Sequence, residues 1–397
     1  MALAPERILA VKLADLGDAL LVTPALRALR TTYPAARLDA LVTPHTAELV
    51  RHSGLVDRVL TFPKHDYDAP RDLLRPQRLR PLLGFYATLR RERYDTVALF
   101  HHLSTGYGLL KWRLLAAATG ATRVAGLAPG AGYGWLTHPV ADQGFGVRHE
   151  VEYGLAIAEA LGATTADSSL ALPPFPDEAA RAVRWIGLEP GQYLVVHAGS
   201  GGYSRARRWD PGRFAMVASV LAQRLGLRIV IVGANQDDGD AVAEDLAVMA
   251  PATRSTLNLQ GKTDLADLVA VLRRCRLFLG ADSGVMHLAA AAGAPVVAIF
   301  GPSNHRAWAP WTPAHRVAIV RLGLPCSPCS YVGVSVGLRE GCAARTCMAE
   351  LSTEQVLDAA FALWRRVYGG EGERERCKGE GKGARGKGQW LARMSDE

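Results

Sequence analysis

A short run of small and polar residues holds the side chains best suited to chemistry in this chain. It contains Asp282, Ser283, Gly284, Val285 and His287. An apolar run precedes it and an Ala-rich stretch follows it, which predicts a loop between a buried strand and a helix. Ligands of open α/β sheets bind at such loops, because helix N-termini offer unpaired N–H groups to anions. The structural alternative is an Asp that caps the helix beside a His packed in the interior. That alternative does not require Asp, Ser and Gly together next to the His, so we predict a ligand site.

A second loop, between the predicted strand Tyr193–His197 and the next helix, combines glycines with positive charge. Ser200 lies among the glycines, and Arg207 and Arg208 follow. Exposed backbone N–H groups and guanidinium groups bind phosphate oxygens. A solvated basic loop would explain the arginines but not the glycines beside them. Together with Asn235, which follows another strand at the same sheet edge, this loop is predicted to complete one anion site.

The first predicted strand, Ile8–Leu13, leads into a third candidate loop. Lys12 and Gly17 lie beside Asp18 there, at the carboxyl end of the strand. A carboxylate in this position is placed for general-base work, and the alternative is an N-cap for the helix Ala19–Tyr33. The loop lacks the Gly-x-Gly-x-x-Gly pattern of dinucleotide-binding turns, which argues against a Rossmann dehydrogenase.

The elements that must position these loops alternate along the chain. Short β-branched runs alternate with amphipathic stretches, as is typical of parallel sheets with helices on both faces. Strands are predicted at Ile8–Leu13, Leu38–Val42, Arg58–Phe62, Thr96–His101, Arg123–Gly126, Tyr193–His197, Arg228–Val232, Thr256–Leu259, Leu277–Gly280 and Val296–Phe300. Helices are predicted at Ala19–Tyr33, Thr46–His52, around Arg71–Arg93, Tyr107–Ala118, Glu150–Leu161, Pro211–Leu225, Asp237–Met249, Asp264–Arg274, Gly284–Ala292 and Thr353–Tyr368. We therefore predict an α/β fold of two doubly wound, Rossmann-like domains that face a cleft.

The length of the chain and its proline pattern predict the domain boundaries. The expected parts are an N-terminal domain over 1–167, a Pro-rich linker over 168–178, a C-terminal domain over 179–350, a C-terminal helix over 351–369 that packs back across the hinge, and a disordered tail over 370–397. The tail is rich in Gly, Glu, Lys and Arg, and too few apolar residues are present to offset the entropy of ordering it.

Composition narrows the function classes. Of 397 residues, 49% are hydrophobic and 21% charged, and the formal net charge of +8 favours an anionic partner. The segment Arg71–Arg93 holds seven arginines against Asp72 and Glu92. It is predicted either as a solvated helix or as a contact for a phosphorylated acceptor or an anionic membrane surface. Charges interrupt the apolar N-terminus and no apolar run is long enough to span a bilayer, so we expect a cytoplasmic protein with peripheral contact at the inner membrane face.

Four cysteines near the C-terminus have the spacing of a metal site. Cys326, Cys329, Cys342 and Cys347 follow the pattern C-x2-C-x12-C-x4-C. In a cytosolic chain this spacing argues against disulfides and is compatible with a tetrahedral structural zinc. Reduced thiols in a loop are the alternative. No metal is expected to take part in catalysis.

Several of these motifs together resemble glycosyltransferase family 9, the lipopolysaccharide heptosyltransferase family. The matching residues are the Leu16-Gly17-Asp18 turn, the Gly-Ser loop that ends in Arg208-Trp209, the run Asp282–Ala290, and Phe300–Ser303. Members of this family transfer heptose from ADP-heptose and have the GT-B fold. The resemblance extends over about residues 7–360.

The resemblance implies roles for individual residues. Asp18 matches the proposed catalytic base of the family, and Lys12 and Gly17 lie on the acceptor side. By the same resemblance, the N-terminal domain (1–167) binds the acceptor and the C-terminal domain (179–350) holds the ADP-sugar donor. Arg207 stands where the family usually has a Lys that contacts the donor phosphates, which keeps the charge but changes its shape. Asn235 stands where the heptosyltransferases commonly have an acidic residue.

The resemblance implies an inverting, metal-independent transferase that moves a heptose-like sugar to a lipopolysaccharide core or related lipid-linked glycan, with no cofactor and no nucleic-acid partner. Two other classes stay open at this point. A nucleotide-sugar epimerase or hydrolase would bind the donor without needing an acceptor. A non-catalytic nucleotide- or nucleic-acid-binding protein would use the positive charge. Neither explains Asp18 and the donor loops together.

Overall fold

Two parallel sheets form the core of the computed structural model, which describes residues 4–69, 71, 75–130, 132–172, 174–186, 191–202, 204–249 and 256–369. The predicted disordered tail over 370–397 lies outside the described residues. Within them, no helix is long and apolar enough to cross a bilayer.

The first sheet consists of six parallel strands. They are β1 (Arg7–Lys12), β2 (Arg37–Val42), β3 (Arg58–Thr61), β4 (Thr96–Leu99), β5 (Arg123–Ala128) and β6 (His138–Ala141), in the spatial order β3-β2-β1-β4-β5-β6. The helices of this half are α1 (Leu16–Leu21), α2 (Thr23–Thr32), α3 (Ala47–His52), α4 (Pro76–Glu92), α5 (Gly106–Thr119) and α6 (Glu150–Ala160). The strand order reverses between β1 and β4, so the loops after these two strands border the switch point where ligands bind in such sheets.

The second sheet repeats this design. Its strands are β7 (Tyr193–His197), β8 (Arg228–Ile231), β9 (Thr256–Asn258), β10 (Leu277–Ala281), β11 (Val296–Ile299) and β12 (Val317–Val320), in the order β12-β11-β10-β7-β8-β9. The helices are α7 (Glu178–Ile186), α8 (Pro211–Leu225), α9 (Gly239–Met249), α10 (Leu265–Arg274), α11 (Gly284–Ala291), α12 (His305–Trp308), α13 (Thr346–Ala349) and α14 (Thr353–Tyr368). A small antiparallel pair, β13 (Ser330–Val332) and β14 (Ser335–Gly337), follows the sheet. Here the switch point lies between β7 and β10.

These observations confirm the predicted fold class of two doubly wound α/β domains, and the structure adds elements that the pattern did not show. The edge strands β6 and β12 were missed, because β6 contains Pro139 and both are only partly buried. The long first helix is divided in two, since α1 ends before Val22 and α2 begins at Thr23.

The C-terminal helix α14 corrects one prediction. Its main contacts are with α8, β11 and β12 of the second sheet, and its buried Val356, Ala360 and Leu363 join the apolar cluster that contains Trp209. We expected this helix to pack back across the hinge. It stays on the second sheet, because its apolar face is taken up by that cluster.

An apolar cluster joins the two halves of the molecule. Leu20 and Leu21 of α1 belong to the same cluster of buried side chains as Met286 and Leu288 of α11. The predicted linker adds Phe175 to it. The linker is also held by hydrogen bonds, such as the one from Nε1 of Trp311 to the Ser168 carbonyl oxygen (2.8 Å). The two switch points are thus brought together by buried contacts.

Candidate functional site

The turn after β1 carries Asp18 inside a helix rather than at its start. Helix α1 begins at Leu16, and Asp15 occupies the N-cap position without a side-chain hydrogen bond. The alternative interpretation, in which Asp18 caps a helix from Ala19, is therefore wrong, because the helix begins three residues earlier. The Asp18 carboxylate instead lies in the first turn of α1, where the helix dipole favours negative charge.

The surroundings of Asp18 combine burial with a neighbouring cation. Nζ of Lys12 lies 3.7 Å from Oδ1 of Asp18, and their side chains are 10% and 30% exposed. Burial raises the pKa of Asp18 above its ordinary value, and the charge of Lys12 opposes this rise. The side chain of Trp308, from the second half of the molecule, also lowers the pKa of the carboxyl group, by less than Lys12 does. A partly accessible carboxylate with these neighbours has the properties of a general base.

The loop after β10 joins three predicted donor residues. Ser283, and not Asp282, is the N-cap of α11, because its Oγ accepts a hydrogen bond from the N–H of Met286 (3.3 Å). The same Oγ lies 3.2 Å from Nδ1 of His197, at the end of β7. Asp282 is buried and accepts a hydrogen bond from Nη1 of Arg207 (3.2 Å). The loops after β7 and β10 are thus tied to each other.

The first turn of α11 offers groups suited to an anion or a sugar hydroxyl. Gly284 and Val285 begin the helix, and the first N–H groups of a helix have no partner within it. His287 follows within the same turn and is 3% exposed. Burial lowers the pKa of His287 to about 4, so its ring is neutral at pH 7. Its Nδ1 has no hydrogen-bond partner among the described residues.

The loop after β7 gives its two arginines different environments. Arg207 is 17% exposed, and besides Asp282 it donates to the Ser200 carbonyl oxygen (3.1 Å). Arg208 is 7% exposed and donates to Oγ of Ser200 (3.2 Å) and to the carboxylates of Asp238 (2.9 Å) and Asp237 (3.3 Å). Arg208 is therefore a buried, charge-paired group, whereas Arg207 lies at the edge of the Asp282 loop.

Asn235 lies farther from this group than the sequence suggested. Its side chain is exposed and covers Gly261, where a Cβ atom would overlap it. The loop after β8 instead reaches the site through Asp237, whose Oδ2 lies 3.4 Å from Nε2 of His197. Burial raises the pKa of Asp237, but its contacts with His197, the Ala234 N–H and Arg208 together outweigh burial, and the pKa lies below its ordinary value. The sequence analysis missed both His197 and Asp237, although His197 ends a predicted strand at the correct sheet edge.

The turn after β1 and the start of α11 touch each other. A Cβ atom on Gly17 would lie 2.8 Å from Cδ2 of His287 and 3.2 Å from the Cα of Gly284. A Cβ atom on Gly284 would lie 3.2 Å from the backbone nitrogen of Gly17. Real Cβ contacts of these lengths require movement, so this approach of two backbones depends on glycine on both sides. The structure therefore brings the Asp18 turn directly onto the start of α11.

Hydrogen bonds and a ring contact join the loop around Phe145 in the first half to the second half. The N–H of Phe145 donates to the Gly333 carbonyl oxygen (2.7 Å), and Nδ2 of Asn304 donates to the carbonyl oxygens of Phe145 (3.2 Å) and Tyr331 (2.9 Å). The ring of Phe145 also contacts Trp308 at a centroid distance of 5.4 Å. Trp308, which lowers the pKa of Asp18, is thereby packed against the loop between β6 and α6 of the first half.

Behind Asp18 lies a buried histidine between two carboxylates. Nδ1 of His102 is 2.9 Å from Oδ2 of Asp142, and Nε2 is 3.0 Å from Oε1 of Glu150. Burial lowers the pKa of His102, but the two carboxylates outweigh it and raise the pKa to about 9. Glu150 in turn contributes to the raised pKa of Asp18. The sequence analysis missed His102, although His101 and His102 stand together at the end of a predicted strand.

The four cysteines predicted as a zinc site lie near one another. The pKa values of the Cys329 and Cys347 thiols are raised, first by burial and then by Cys326 and Cys342. All four are free thiols. Among the described residues, no group of three or more His, Cys, Asp or Glu side chains has the arrangement that a metal ion requires. The structural zinc therefore remains a prediction.

The two facing sheets, with a carboxylate at one switch point and a helix N-terminus flanked by arginine at the other, define the GT-B class of two-domain glycosyltransferases. The sequence model of glycosyltransferase family 9 (heptosyltransferase) matches residues 83–336, and the chain belongs to this family.

Relatives and solved structures agree with this assignment. Lipopolysaccharide heptosyltransferase 3 of Escherichia coli (strain K12) is 27% identical over 306 residues, which are 75% of this chain and 83% of the relative. Lipooligosaccharide heptosyltransferase 2 of Campylobacter jejuni is 30% identical over 185 residues, 46% of this chain and 52% of the relative. The structure of E. coli ADP-heptose lps heptosyltransferase II matches with a TM-score of 0.66 at 20% identity, over 90% of this chain and 98% of that chain. At this identity the structural match shows the shared fold.

Proposed function

We propose that this protein is an inverting glycosyltransferase that moves a heptose-like sugar from an ADP-sugar to a hydroxyl group of a lipid-linked glycan, such as a lipopolysaccharide core. One observation carries the proposal. The Asp18 turn of the first sheet lies against the start of α11 in the second, where Gly17 meets Gly284 and His287. An acceptor at the first turn and a donor at the second would therefore meet.

In this proposal the donor diphosphate lies at the N-terminus of α11. The N–H groups of Gly284 and Val285 and the guanidinium of Arg207 supply positive charge, and a helix N-terminus favours a phosphate for the same reason. Arg207 is 3.2 Å from Asp282, which orients the guanidinium group. The neutral His287 ring offers a hydrogen-bonding nitrogen to the donor.

Arg208 has a different role in this account. Because its guanidinium group is held by two carboxylates and by Ser200, we assign it to positioning the loop rather than to the phosphates. Asn235 lies at the exposed end of the neighbouring loop, where it would meet the nucleoside part of the donor.

The chemical step assigns the proton to Asp18. The carboxylate takes the proton of the acceptor hydroxyl as that oxygen forms a bond to the anomeric carbon. The bond from the anomeric carbon to the phosphate oxygen breaks, and ADP leaves with the electron pair. Charge that develops on the leaving phosphate is stabilised by Arg207 and the α11 N–H groups, without a catalytic metal. Lys12, 3.7 Å from Asp18, keeps the base ionised between turnovers.

The names of similar proteins support the donor and acceptor classes. The solved E. coli structure is described as an ADP-heptose lps heptosyltransferase, and the E. coli and C. jejuni relatives are lipopolysaccharide and lipooligosaccharide heptosyltransferases. A water-soluble nucleotide sugar and a lipid-linked acceptor would place the reaction at the cytoplasmic face of the inner membrane.

The test measures ADP release from ADP-heptose with and without a heptose-deficient lipopolysaccharide acceptor, and UDP- and GDP-sugars serve as controls. The proposal predicts release that requires both the ADP-sugar and the acceptor. Equal release without acceptor, with free sugar as product, would identify a hydrolase, and preference for a UDP-sugar would refute the donor class. EDTA should leave the rate unchanged. Loss of activity that only Mg²⁺ restores would contradict the metal-independent step.

A further inference from the structure

Four leucines are exposed on two neighbouring helices of the first domain. Leu79 and Leu83 on α4 are 41% and 57% exposed, and Leu110 and Leu114 on α5 are 50% and 46% exposed. On each helix the pair is spaced four residues apart, so both leucines lie on one face. Large apolar side chains grouped on a surface are a sign of an interaction site.

The two helices run side by side in the same direction. The carbonyl oxygen of Tyr67 accepts a hydrogen bond from Lys111 of α5, and the Tyr67 hydroxyl group donates to the carbonyl oxygen of Arg78 of α4. Both helices therefore begin near Tyr67. Their other ends meet where the Arg90 guanidinium lies over Gly120, the C-cap of α5. Leu79 and Leu110 are thus near one end of the pair, and Leu83 and Leu114 follow one turn later.

The exposed charged side chains of α4 and α5 are all positive. Arg80, Arg90 and Arg91 of α4 and Arg113 of α5 are exposed. Glu92 is the only acidic residue in either helix. Its carboxylate is bonded to arginines of β2 and β3, with 18% of the side chain exposed. Asp66 and Asp68, exposed in the turn before α4, are paired with Arg78 and His65. Leucines interspersed with arginines match an anionic lipid surface, where the leucines reach the acyl boundary and the arginines meet phosphate groups.

The position of this face relative to the Asp18 turn also fits a lipid surface as the partner. α5 follows β4, so its N-terminus lies at the sheet edge that also carries the Asp18 turn after β1. α4 precedes β4 and therefore starts at that edge as well. A bilayer on this face would lie beside the opening of the cleft, within reach of a glycan anchored in it.

We propose that the exposed face of α4 and α5, formed by Leu79, Leu83, Leu110 and Leu114 with Arg80 and Arg113, docks the protein on an anionic phospholipid bilayer. Its biological meaning rests on the proposed lipid-linked acceptor, but bilayer binding itself does not. The predicted docking is peripheral, and both the apolar and the charged side chains contribute to it.

The experiment is co-sedimentation of the full chain with phosphatidylcholine vesicles and with vesicles that also contain phosphatidylglycerol, at low and high salt. Wild type should bind the anionic vesicles, bind the neutral ones weakly, and lose affinity as salt rises. The double variant Leu83→Glu/Leu114→Glu should lose about tenfold or more in vesicle affinity, because each change removes an apolar contact and adds repulsion. The matched control is Val248→Glu/Leu338→Glu, two exposed apolar positions elsewhere (82% and 54%), and it should bind like wild type.

Melting temperature and ADP binding are measured on every variant, so loss of folding or failure of the proposed donor site is seen separately. Equal vesicle binding by the Leu83→Glu/Leu114→Glu variant and wild type would overturn the proposal, as would equal loss in the control pair. Wild type that ignores anionic vesicles but self-associates or binds duplex DNA through the same leucines would also overturn it, and would assign the face to another partner.

Discussion

His102 allows the most quantitative prediction, because its two partners are fixed in the structure. Its ring nitrogens lie 2.9 Å from Asp142 and 3.0 Å from Glu150, and the three side chains are 6%, 2% and 8% exposed. Both nitrogens face carboxylates, so both must donate and the ring is a cation. Its pKa is raised from 6.5 to about 9. The difference corresponds to about 3 kcal/mol of folding free energy.

The direction of the pH dependence follows from this raised pKa. The contribution is fully present below the unfolded-state value of about 6.5 and is lost as the pH rises through about 9. Burial raises the pKa of Asp142, but the hydrogen bond and charge of His102 and the hydrogen bond from the Gly144 N–H together outweigh burial, so the pKa is depressed. Its share is therefore lost only when the pH falls through the acidic range. The stabilisation should be greatest between these limits.

The assay is chemical denaturation of wild type and His102→Gln between pH 6 and pH 10. From pH 6.5 to 9.5, wild type should lose about 3 kcal/mol more unfolding free energy than His102→Gln, because glutamine cannot carry the charge. His65→Gln is the matched control, since His65 is 67% exposed and exposed pairs contribute little. Parallel pH profiles for wild type and His102→Gln would refute the assignment of a buried cation.

Two further predictions concern the glycine contact and the donor loop. Gly17→Ala would place a Cβ atom 2.8 Å from Cδ2 of His287. It should lower transfer by roughly 10²-fold and also weaken ADP binding, because His287 and Gly284 belong to the proposed donor site. Gly84→Ala, where the Cβ atom meets open space, should change neither, and equal turnover of both variants would contradict the importance of this contact. Arg208→Gln should lower the free energy of unfolding by about 3–5 kcal/mol, because it leaves its carboxylate partners without their cation. Arg207→Gln should mainly weaken ADP binding, by roughly 10- to 150-fold. The reverse pattern, seen in the same two measurements, would exchange the roles of the arginines.

The sequence was sufficient for the fold class and the family. Runs such as Tyr193–His197 are apolar and β-branched, and they are buried on both faces in the structure, so their pattern shows strands of a parallel sheet. Motif residues such as Asp282 and Ser283 follow such strands directly, which places them at the correct sheet edge. The prediction that the loops after β7 and β10 come together is confirmed by the Arg207–Asp282 contact.

The parts that could not be predicted depend on tertiary contacts. Helix α1 begins at Leu16 and not at the predicted Ala19. A helix can begin at any of several neighbouring residues, and packing selects one of them. The contact of Gly17 with Gly284 joins residues far apart in the chain, and the sequence around either glycine does not identify the other as its partner. The effect of Trp308 on the pKa of Asp18 likewise exists only once the two domains are assembled.

The same limit applies to the individual arginines. Arg207 and Arg208 are adjacent and chemically identical in the sequence, and both were assigned to the donor phosphates. Their surroundings differ, because Asp237 and Asp238 approach only Arg208. Which of two neighbouring charges remains accessible is decided by side chains from other loops, and the local pattern does not contain this information.

The most direct test of the account is the transfer rate of Asp18→Asn, with donor affinity and melting temperature measured on the same preparation. Asp18 is not the helix cap, so the amide should leave stability nearly unchanged, while loss of the base should slow transfer by roughly 10²–10⁴-fold with ADP-sugar affinity intact. Asp15→Asn, the same change at the N-cap position of the same helix, should transfer at close to the wild-type rate. A folded Asp18→Asn protein that transfers sugar as fast as wild type would contradict the central claim that this carboxylate is the general base.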